Sequence, residues 1–508
     1  MEKLNLKELV KIAQSAEELG DANGLYQAAE QLLLRDPNNA EYILYKLKAL
    51  DMVGKVTSDL GLIQHYVRMR SSDVTGFLLL YKAYVSNGYI AEGLIALSFA
   101  LSIEPDDQEC QQLMTNLLAE VDERYTHVKI NILTIDRIGH LACEIEPFAR
   151  KHQDNEGCLY LFISPGVQPA NPYLFELLKN VAHVIDSPFY YHLYHTRSLL
   201  LDEDYYAKLP YDLQSSQRGI EPMDVNIDGY RNLIDIYQKY PQIMRIPEED
   251  AEFGWQYLSS FGITKSDKIV LLHVRDSAYL KKKYPKNDFS YHDFRDADIT
   301  NYQEAVEELI VKGYKVVRIG SDTDQQLAIN HTNYIDLCVN KAEQHGDFYE
   351  VFLISVCEFF IATTSGPMSI AAMFETPTLC INSVPFHPPY FNNSRFIPKR
   401  LMQNGEEVSL LEVCRGKVLS DEVDTPILFT FVGSDLEKLN YEYIENSPTE
   451  ITEAVLEFSL QVNERQFENT RTELQQAYVD ALPEDFIYKN CQTIVCDSFL
   501  QRHPDIFK

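Results

Sequence analysis

The sequence predicts a mixed α/β protein in which two doubly wound parallel sheets follow an all-helical repeat segment. Three observations carry this prediction. Turn-like segments recur every 34 residues in the first quarter of the chain. Continuous apolar runs then alternate with helical segments, which is typical of strands that are buried on both faces of a parallel sheet. This alternation occurs twice, and a stretch rich in tyrosine, aspartate and proline separates the two occurrences.

The composition excludes several classes of protein. The chain has 508 residues, 45% of them hydrophobic, which is enough for several cores. A formal net charge of -31 would repel phosphate backbones and anionic headgroups, so we do not expect a nucleic-acid partner. The nine cysteines include no C-x-x-C pair and indicate a reducing compartment.

The N-terminal segment lacks the apolar core of a signal peptide, and no apolar run approaches the ~20 residues of a transmembrane helix. We therefore expect a soluble, cytoplasmic protein without a transmembrane segment. Peripheral association with the inner face of the membrane stays open.

The repeat spacing lies in the first part of the chain. Polar segments at 36–39, 70–73 and 104–107 each follow a run with helical periodicity. This is the period of tetratricopeptide repeats, and residues 8–120 resemble degenerate members of that class, in which stacked helix pairs form a concave surface. An irregular helical bundle is the alternative. We assign residues 1–124 to a helical, tetratricopeptide-like repeat domain.

Two α/β domains are predicted next, at residues 125–250 and 251–400, followed by a C-terminal extension and helical tail at residues 401–508. The predicted strands are 128–135, 158–164, 182–186, 268–274, 314–320, 334–338, 358–364 and 376–382. A loop is predicted at 136–140, and Asn171 with Pro172 opens a later helix. Thr300 and Gln303 have the spacing of a capping box.

Ligands of a doubly wound sheet collect at the carboxyl ends of its strands. Thr364, Ser365 and Gly366 lie at such an end, ahead of a helix led by Pro367. Glycine allows a close approach of the backbone, and the N–H groups at a helix start suit an anion such as a diphosphate. An ordinary strand-to-helix turn is the simpler interpretation of this segment taken alone.

Two further strands end in charged residues. His273, Arg275 and Asp276 follow one strand, and Arg318 ends the next. A guanidinium group is a planar, permanently charged partner for phosphate oxygens, so we expect both arginines to bind the same anion. His273 could equally be a satisfied core histidine.

The first α/β domain contributes Arg137, Gly139 and His140, which are expected to face the other segments across a cleft. Histidine titrates near neutrality, so His140 is a candidate general base. Glu144, one helical turn further on, is the alternative base or orients the histidine. An exposed pair of residues at i and i+4 is the simpler interpretation.

Asp296 and Asp298 form a D-x-D triplet, a pattern that holds a divalent metal in one class of sugar transferases. Among 76 acidic residues such triplets arise by chance, and Asp298 is placed to favour the dipole of the next helix. We therefore expect no metal site. Arg295 and Tyr302 are the candidate ligand contacts of this stretch.

The segment TTSGPMSIAAMFETPTLCI resembles the donor-site signature of bacterial heptosyltransferases, and Arg137-Ile138-Gly139 resembles the turn that opens those enzymes. Thr364 stands where that family has an aspartate, and His140 stands where it has its proposed catalytic aspartate. These two departures leave heptose specificity and the identity of the base open.

A series of motifs in residues 125–508 is similar to a mostly uncharacterised family of bacterial glycosyltransferases that often carry tetratricopeptide repeats. The motifs are RIGHL, LLHVRDSAYL, RDADITNY, GYKVVRIG, TTSGP and SFLQRHP. The His-x-Arg element is also similar to fucosyltransferases, but Ala278 stands where their longer pattern has an aspartate.

These resemblances imply a GT-B fold, with an N-terminal Rossmann-like acceptor domain and a C-terminal Rossmann-like donor domain. They imply metal-independent transfer of a sugar from a nucleotide sugar to a hydroxyl of a protein or surface glycan that residues 1–124 could recruit, with no cofactor. Arg137 and Gly139 then lie on the acceptor side, with His140 or Glu144 as the base. The donor-binding set is His273, Arg275, Asp276, Arg295, Tyr302, Arg318, Thr364, Ser365, Gly366 and Pro367.

Two other functions stay open at this point. A nucleotide-sugar epimerase of GT-B shape would hold the same ligand without a metal. A repeat-based scaffold with a decayed α/β portion would bind no nucleoside diphosphate.

Overall fold

The helices and strands are those of a computed structural model. It describes residues 4–153, 157–200, 227–283, 285–286, 288, 290–320, 323, 325–338, 346–384, 389, 391–409, 418–420, 423–426, 436, 440–464, 471–484, 489 and 491–506. The chain forms two compact units. Unit 1 comprises residues 1–134, 152–167 and 182–221, and unit 2 comprises residues 135–151, 168–181 and 222–508. The chain thus passes between the units five times. The predicted division into four domains stays a prediction.

Unit 1 begins with helices of which the first, third, fifth and seventh start 34 residues apart. These helices are α1 (Leu6–Glu18), α2 (Ala22–Leu33), α3 (Ala40–Met52), α4 (Leu60–Met69), α5 (Val74–Ser86), α6 (Ile90–Ile103) and α7 (Gln108–Val121). Asn39, Asp73 and Asp107 are the N-caps of α3, α5 and α7, and each side chain accepts a hydrogen bond from the first helical turn. The predicted helical repeat region is confirmed.

Glycines with positive φ angles have the same spacing, which the sequence analysis did not identify. Gly20, Gly54 and Gly88 have φ angles of 68°, 68° and 82°. Each follows the first helix of a pair, where the chain must turn back through the left-handed region that favours glycine. The repeated residues therefore mark both ends of the first helix in each pair.

The repeats share their core with a parallel sheet. Its strands, in the order β1-β2-β3, are β1 (His127–Ile132), β2 (Cys158–Ser164) and β3 (His183–Asp186), and α10 (Pro188–Leu200) follows them. One hydrophobic cluster joins residues of α3 to α7, β1, β2 and α10. Phe99 of α6 stacks on Phe77 at 5.4 Å and on Tyr190 of α10 at 5.8 Å between ring centroids. The repeats and the sheet therefore pack as one body.

The helices of unit 2 begin with α8 (Ile138–Lys151), α9 (Pro172–Lys179), α11 (Ile227–Lys239) and α12 (Glu248–Ser259). The prediction for α9 is confirmed, because the Asn171 side chain accepts from the N–H of Leu174. The predicted loop at 136–140 is wrong in its last part. Because α8 begins at Ile138, Gly139 and His140 lie in its first turn.

The main sheet of unit 2 has seven described strands, all parallel, in the order β15-β9-β8-β7-β4-β5-β6. They are β4 (Ile269–His273), β5 (Lys315–Arg318), β6 (Tyr334–Asp336), β7 (Phe359–Ala362), β8 (Thr378–Ser383), β9 (Ser394–Pro398) and β15 (Ile494–Val495). The parallel α/β fold class is confirmed. The sequence did not predict β9 and β15, which extend the sheet beyond β8.

Helices cover this sheet and precede its strands. They are α13 (Ala278–Lys283), α14 (Gln303–Val311), α15 (Gly346–Val356), α16 (Gly366–Met373), α17 (Pro448–Glu464), α18 (Glu473–Ala481) and α19 (Asp497–Arg502). The predicted capping box of Thr300 and Gln303 is wrong, because a 3-10 turn at Ile299–Tyr302 comes first and Asp298 caps it by accepting from the N–H of Thr300. At the start of α17, Ser447 and Glu450 hydrogen-bond reciprocally.

Short antiparallel strands lie between β9 and α17. They are β10 (Arg400–Gln403), β11 (Glu406–Glu407), β12 (Val418–Ser420), β13 (Val423–Pro426) and β14 (Tyr441–Ile444). β10 pairs with β11 and β14, and β12 pairs with β13. Among the residues that the structure describes, no helix is both long and apolar enough to cross a membrane.

Deletion of residues 1–120 is expected to unfold the β1-β2-β3 sheet, because it removes most of the cluster that covers Val128 and Leu159. A deletion of residues 1–33 is the matched control. It removes α1 and α2, whose contacts form a separate cluster with α3. We expect the control to remain monodisperse with a cooperative melting transition, and the long deletion to aggregate. A soluble, cooperatively melting long deletion would show that the sheet has an independent core.

Candidate functional site

The starts of two helices of unit 2 meet at a pair of glycines. A β-carbon added to Gly366 of α16 would lie 3.2 Å from the backbone nitrogen of Gly139 in α8 and 3.3 Å from the Cβ of Ile138. The Ser365 hydroxyl donates to the carbonyl of Thr363, and within the described residues no side chain caps α16. The positive ends of two helix dipoles thus lie side by side, an arrangement that favours an anion.

Arg275 is anchored next to the start of α16. Its backbone N–H donates to the Thr363 hydroxyl at 3.0 Å. Its guanidinium forms an ion pair with Asp296, and the side chain is 14% exposed. Burial raises the pKa of Asp296 to about 6, although Arg275 opposes that shift. A bound anion would have to share Arg275 with this carboxylate.

The side chains of Arg318 and Tyr302 are buried. The Arg318 side chain is 1% exposed and donates to the Gln325 carbonyl at 2.8 Å and to Asp336 at 3.1 Å. The Tyr302 hydroxyl accepts from the side-chain amide of Asn382 at 3.1 Å, and burial raises its pKa. These contacts position β6 and the end of β8. Both side chains have protein partners, and their predicted contacts with a donor stay a prediction.

His273 packs beneath the same edge of the sheet. Its Nδ1 lies 3.3 Å from the Ile319 carbonyl, which can only accept, so Nδ1 carries the hydrogen. Burial, with the nearby Arg318 and Arg275, lowers the pKa of His273 to about 4. Gly320, at φ 144°, leaves room for the ring, because an added β-carbon would lie 3.4 Å from Nδ1. His273 is thus neutral near pH 7.

The remaining predicted donor residues are distributed around this edge. Thr364 is buried, and its hydroxyl accepts from the N–H of Val384 at 3.2 Å. Pro367 lies in the first turn of α16. Asp276 accepts from the N–H of Ala278 at 3.0 Å, and the Arg295 guanidinium lies 5.6 Å from the centroid of the Phe294 ring.

The candidate bases lie on α8. His140 Nδ1 is 3.5 Å from Glu144 Oε1, and the two side chains are 40% and 12% exposed. Arg137 is exposed just before the helix. Because Gly139 contacts Gly366, the predicted acceptor-side and donor-side segments meet within one compact unit. His140 is therefore one residue from the place where the two helix starts touch.

The D-x-D carboxylates have separate partners. Asp296 pairs with Arg275, and Asp298 caps the turn at Thr300. Among the described residues, no group of three or more histidine, cysteine or acidic side chains could hold a metal ion.

Several positioning residues were missed in the sequence. The side chain of Lys399 follows β9, is 4% exposed and donates to the carbonyls of Phe294 at 3.1 Å and Asp296 at 2.6 Å. It therefore holds the segment that presents Asp296 to Arg275. A lysine directly after the buried run SRFIP was the available signal, since polar residues at strand ends gather at one edge.

A buried polar network ties the other ends of α8 and α16 together. Arg150 of α8 is fully buried and donates to Glu146 at 2.8 Å, to Glu375 at 2.7 Å and to the carbonyl of Met373, the last residue of α16. The Tyr237 hydroxyl donates to Glu146 at 3.0 Å. Burial raises the pKa of Glu146 to about 7. The network fixes how far α8 can slide along α16.

Comparison with known proteins supports the resemblance stated from the sequence. No family model matches the chain. A curated relative, lipopolysaccharide heptosyltransferase 2 of Escherichia coli (strain K12), is 31% identical over 105 residues, which are 19% of this chain and 30% of that protein. The chain thus spans less than a third of the length of this relative. The predicted resemblance to heptosyltransferases is confirmed.

Solved structures with similar folds include two bacterial glycosyltransferases. An E. coli ADP-heptose heptosyltransferase II is 17% identical, with a TM-score of 0.34, over 55% of this chain and 92% of that one. A family 9 glycosyl transferase from Veillonella parvula is 13% identical, with a TM-score of 0.37, over 62% and 96%. A Thermobaculum terrenum O-GlcNAc transferase mutant is 12% identical, with a TM-score of 0.23, over 73% and 81%.

Gly366→Ala is expected to lower the free energy of unfolding by about 1–3 kcal/mol, because its methyl group would press on the backbone of Gly139. Gly139→Ala is the matched control, since its added β-carbon meets its nearest atom, the Cα of Gly366, only at 3.7 Å. We expect the control to be neutral in urea unfolding. Equal stability of the two variants would contradict the close approach at Gly366.

Arg150→Met is expected to cost about 3–5 kcal/mol at pH 8, because it leaves the Glu146 carboxylate buried without its charged partner. Arg150 lowers the pKa of Glu146, so in its absence that pKa should lie above the wild-type value of about 7. The loss should therefore shrink as the pH falls towards 7, where the carboxyl of the variant takes up a proton, and should change little below pH 7. Arg124→Met, which breaks the exposed pair with Asp122, is the control and should cost under about 1 kcal/mol. A loss that does not depend on pH would contradict the unpaired-charge explanation.

Proposed function

We propose that the chain is a glycosyltransferase that moves a sugar from a nucleotide-sugar donor to an acceptor hydroxyl. The main observation in support of this proposal is the contact between the starts of α8 and α16, at Gly139 and Gly366. This place offers helix-end N–H groups, with Arg275 next to it, to a diphosphate. The match to a curated heptosyltransferase supports the same class of reaction.

In the proposed reaction the acceptor oxygen attacks the anomeric carbon of the donor sugar, and the bond from that carbon to the diphosphate oxygen breaks. The leaving diphosphate gains negative charge in the transition state. Preorganised donors that stabilise such charge supply much of the acceleration in enzymes. The start of α16 at Ser365 and Gly366 has this role, and Arg275 adds a guanidinium when it turns from Asp296.

The acceptor proton passes to His140 in this proposal. Its Nδ1 faces Glu144, so that Nε2 remains the atom that accepts the proton, and Glu144 stabilises the resulting imidazolium. Glu144 itself is the alternative base. Arg137 is exposed at the same helix start and can bind an anionic group of the acceptor.

We assign the positive charge that the leaving group needs to helix ends and Arg275, so the proposal is metal-independent. The two carboxylates of the D-x-D triplet are occupied by Arg275 and Thr300. The helical repeats would present the protein or glycan acceptor, since stacked helix pairs form extended binding surfaces.

The test is a thermal-shift titration of UDP, ADP and GDP, with and without a chelator, on the wild type and two variants. Arg275→Ala should weaken binding of the preferred nucleotide at least about tenfold, because it removes a charged phosphate donor. Asp296→Asn is the matched control. It also breaks the ion pair but frees Arg275, so binding should be retained or tightened.

If none of the three nucleoside diphosphates stabilises the protein, the proposal is overturned. Equal weakening in both variants would show that the ion pair matters only for the fold. Formation of a free epimer from the nucleotide sugar, with no acceptor present, would assign the epimerase function.

A further inference from the structure

A cavity of about 590 Å³ opens at the carboxyl edge of the main sheet in unit 2. Its size lies within the range of small-molecule sites. It adjoins the proposed diphosphate position, because Asp276 in its wall follows Arg275, whose backbone is held by Thr363. Its lining is Asp276, Ser277, Ser290, Asp293, Phe294, Asp296, Ala297, Asp298, Gln325, Lys399, Leu436, Tyr441, Glu442, Tyr443 and Glu445.

The lining is anionic. Six of its side chains are carboxylates, and Lys399 is its single basic residue. Lys399 directs its ammonium group to the carbonyls of Phe294 and Asp296 in the wall. Within the described residues, the carboxylates of Asp293 and Glu442 accept no hydrogen bond and are exposed. They are available to a ligand that donates hydrogen bonds.

Aromatic rings form another part of the wall. Phe294 and Tyr443 stack with ring centroids 5.8 Å apart and an interplanar angle of 22°. The position of this wall is fixed by Glu445, which accepts from the backbone N–H of Asp298 at 3.0 Å. Carboxylates next to apolar ring surface suit a sugar, which donates hydroxyl hydrogens and also has C–H faces.

From this lining we infer that the cavity binds the transferred sugar of the donor and selects a neutral or amino sugar over a sugar acid. The inference rests on the proposed function, since the neighbouring diphosphate site anchors the donor. A hydroxymethyl or ammonium group donates to the carboxylates of Asp293 and Glu442. A sugar carboxylate in the same place would be repelled by them, because charges in direct contact are separated by less than the screening length of physiological salt.

The experiment first identifies the nucleoside diphosphate that stabilises the protein. It then compares, by calorimetry, the glucose and glucuronate esters of that nucleotide, which differ only in the hydroxymethyl or carboxylate group at C6. We expect the wild type to bind the glucose ester at least about tenfold more tightly. The double variant Asp293→Asn/Glu442→Gln should narrow this ratio several-fold, while the affinity for the nucleoside diphosphate alone changes less than twofold.

Glu304→Gln/Glu406→Gln is the matched control, since it removes the same charge from two exposed positions outside the lining. It should leave the ratio unchanged. Provided that the nucleoside diphosphate binds, the inference is overturned if the two esters bind equally or the glucuronate ester binds more tightly. It is also overturned if the Asp293→Asn/Glu442→Gln variant leaves the affinity ratio unchanged. If no nucleoside diphosphate binds, the proposed function fails first, and the two failures are therefore distinguishable.

Discussion

The candidate site depends on how closely two helices of unit 2 approach each other. The starts of α8 and α16 meet at Gly139 and Gly366, where a side chain on Gly366 would meet backbone at 3.2 Å. At the far end, Arg150 binds the carbonyl that ends α16 and the Glu375 side chain just beyond it. Contact at one end and a buried charge network at the other leave α8 a single register against α16. That register places Gly139, the residue before His140, against Gly366.

The electrostatics of the site oppose those of the protein around it. The chain carries a net charge of -31, and the wall next to Arg275 is rich in carboxylates. The positive potential for an anion therefore comes from helix ends and one guanidinium, which is itself shared with Asp296. Such an arrangement confines favourable binding of phosphate to a small region. In our proposal, the adjoining carboxylates bind the hydroxyl-rich sugar of the donor.

Features with a local cause were predictable from the sequence. The strands from β4 to β8 are short apolar runs between helices, and Asn171 caps α9 through its own side chain. The N-caps at Asn39, Asp73 and Asp107 made the repeat visible. The prediction at Thr300 failed because two nearby residues competed for one helix start, and the Asp298 carboxylate is the stronger cap.

Features with a tertiary cause were not predictable. Arg318 ends a strand as expected, but its partner Asp336 lies on β6, and only the register of the two strands brings them together. The same holds for Lys399, because the carbonyls of Phe294 and Asp296 to which it donates lie more than 100 positions earlier in the chain. Arg150 donates a hydrogen bond to Glu375, which lies more than 220 positions later in the chain. No sequence pattern connects these positions.

The chain crosses between the two units five times, and this affects how the protein can fold during its synthesis. Because α8 and α9 belong to one unit and the strands on either side of them to the other, no single cut in the polypeptide releases either unit whole. During synthesis, β1, β2 and β3 emerge from the ribosome long before α16, the partner of α8, has been made. All segments of unit 1 precede residue 222, whereas α8 must wait for α16, so we expect the apolar face of α8 to stay uncovered for longer during synthesis.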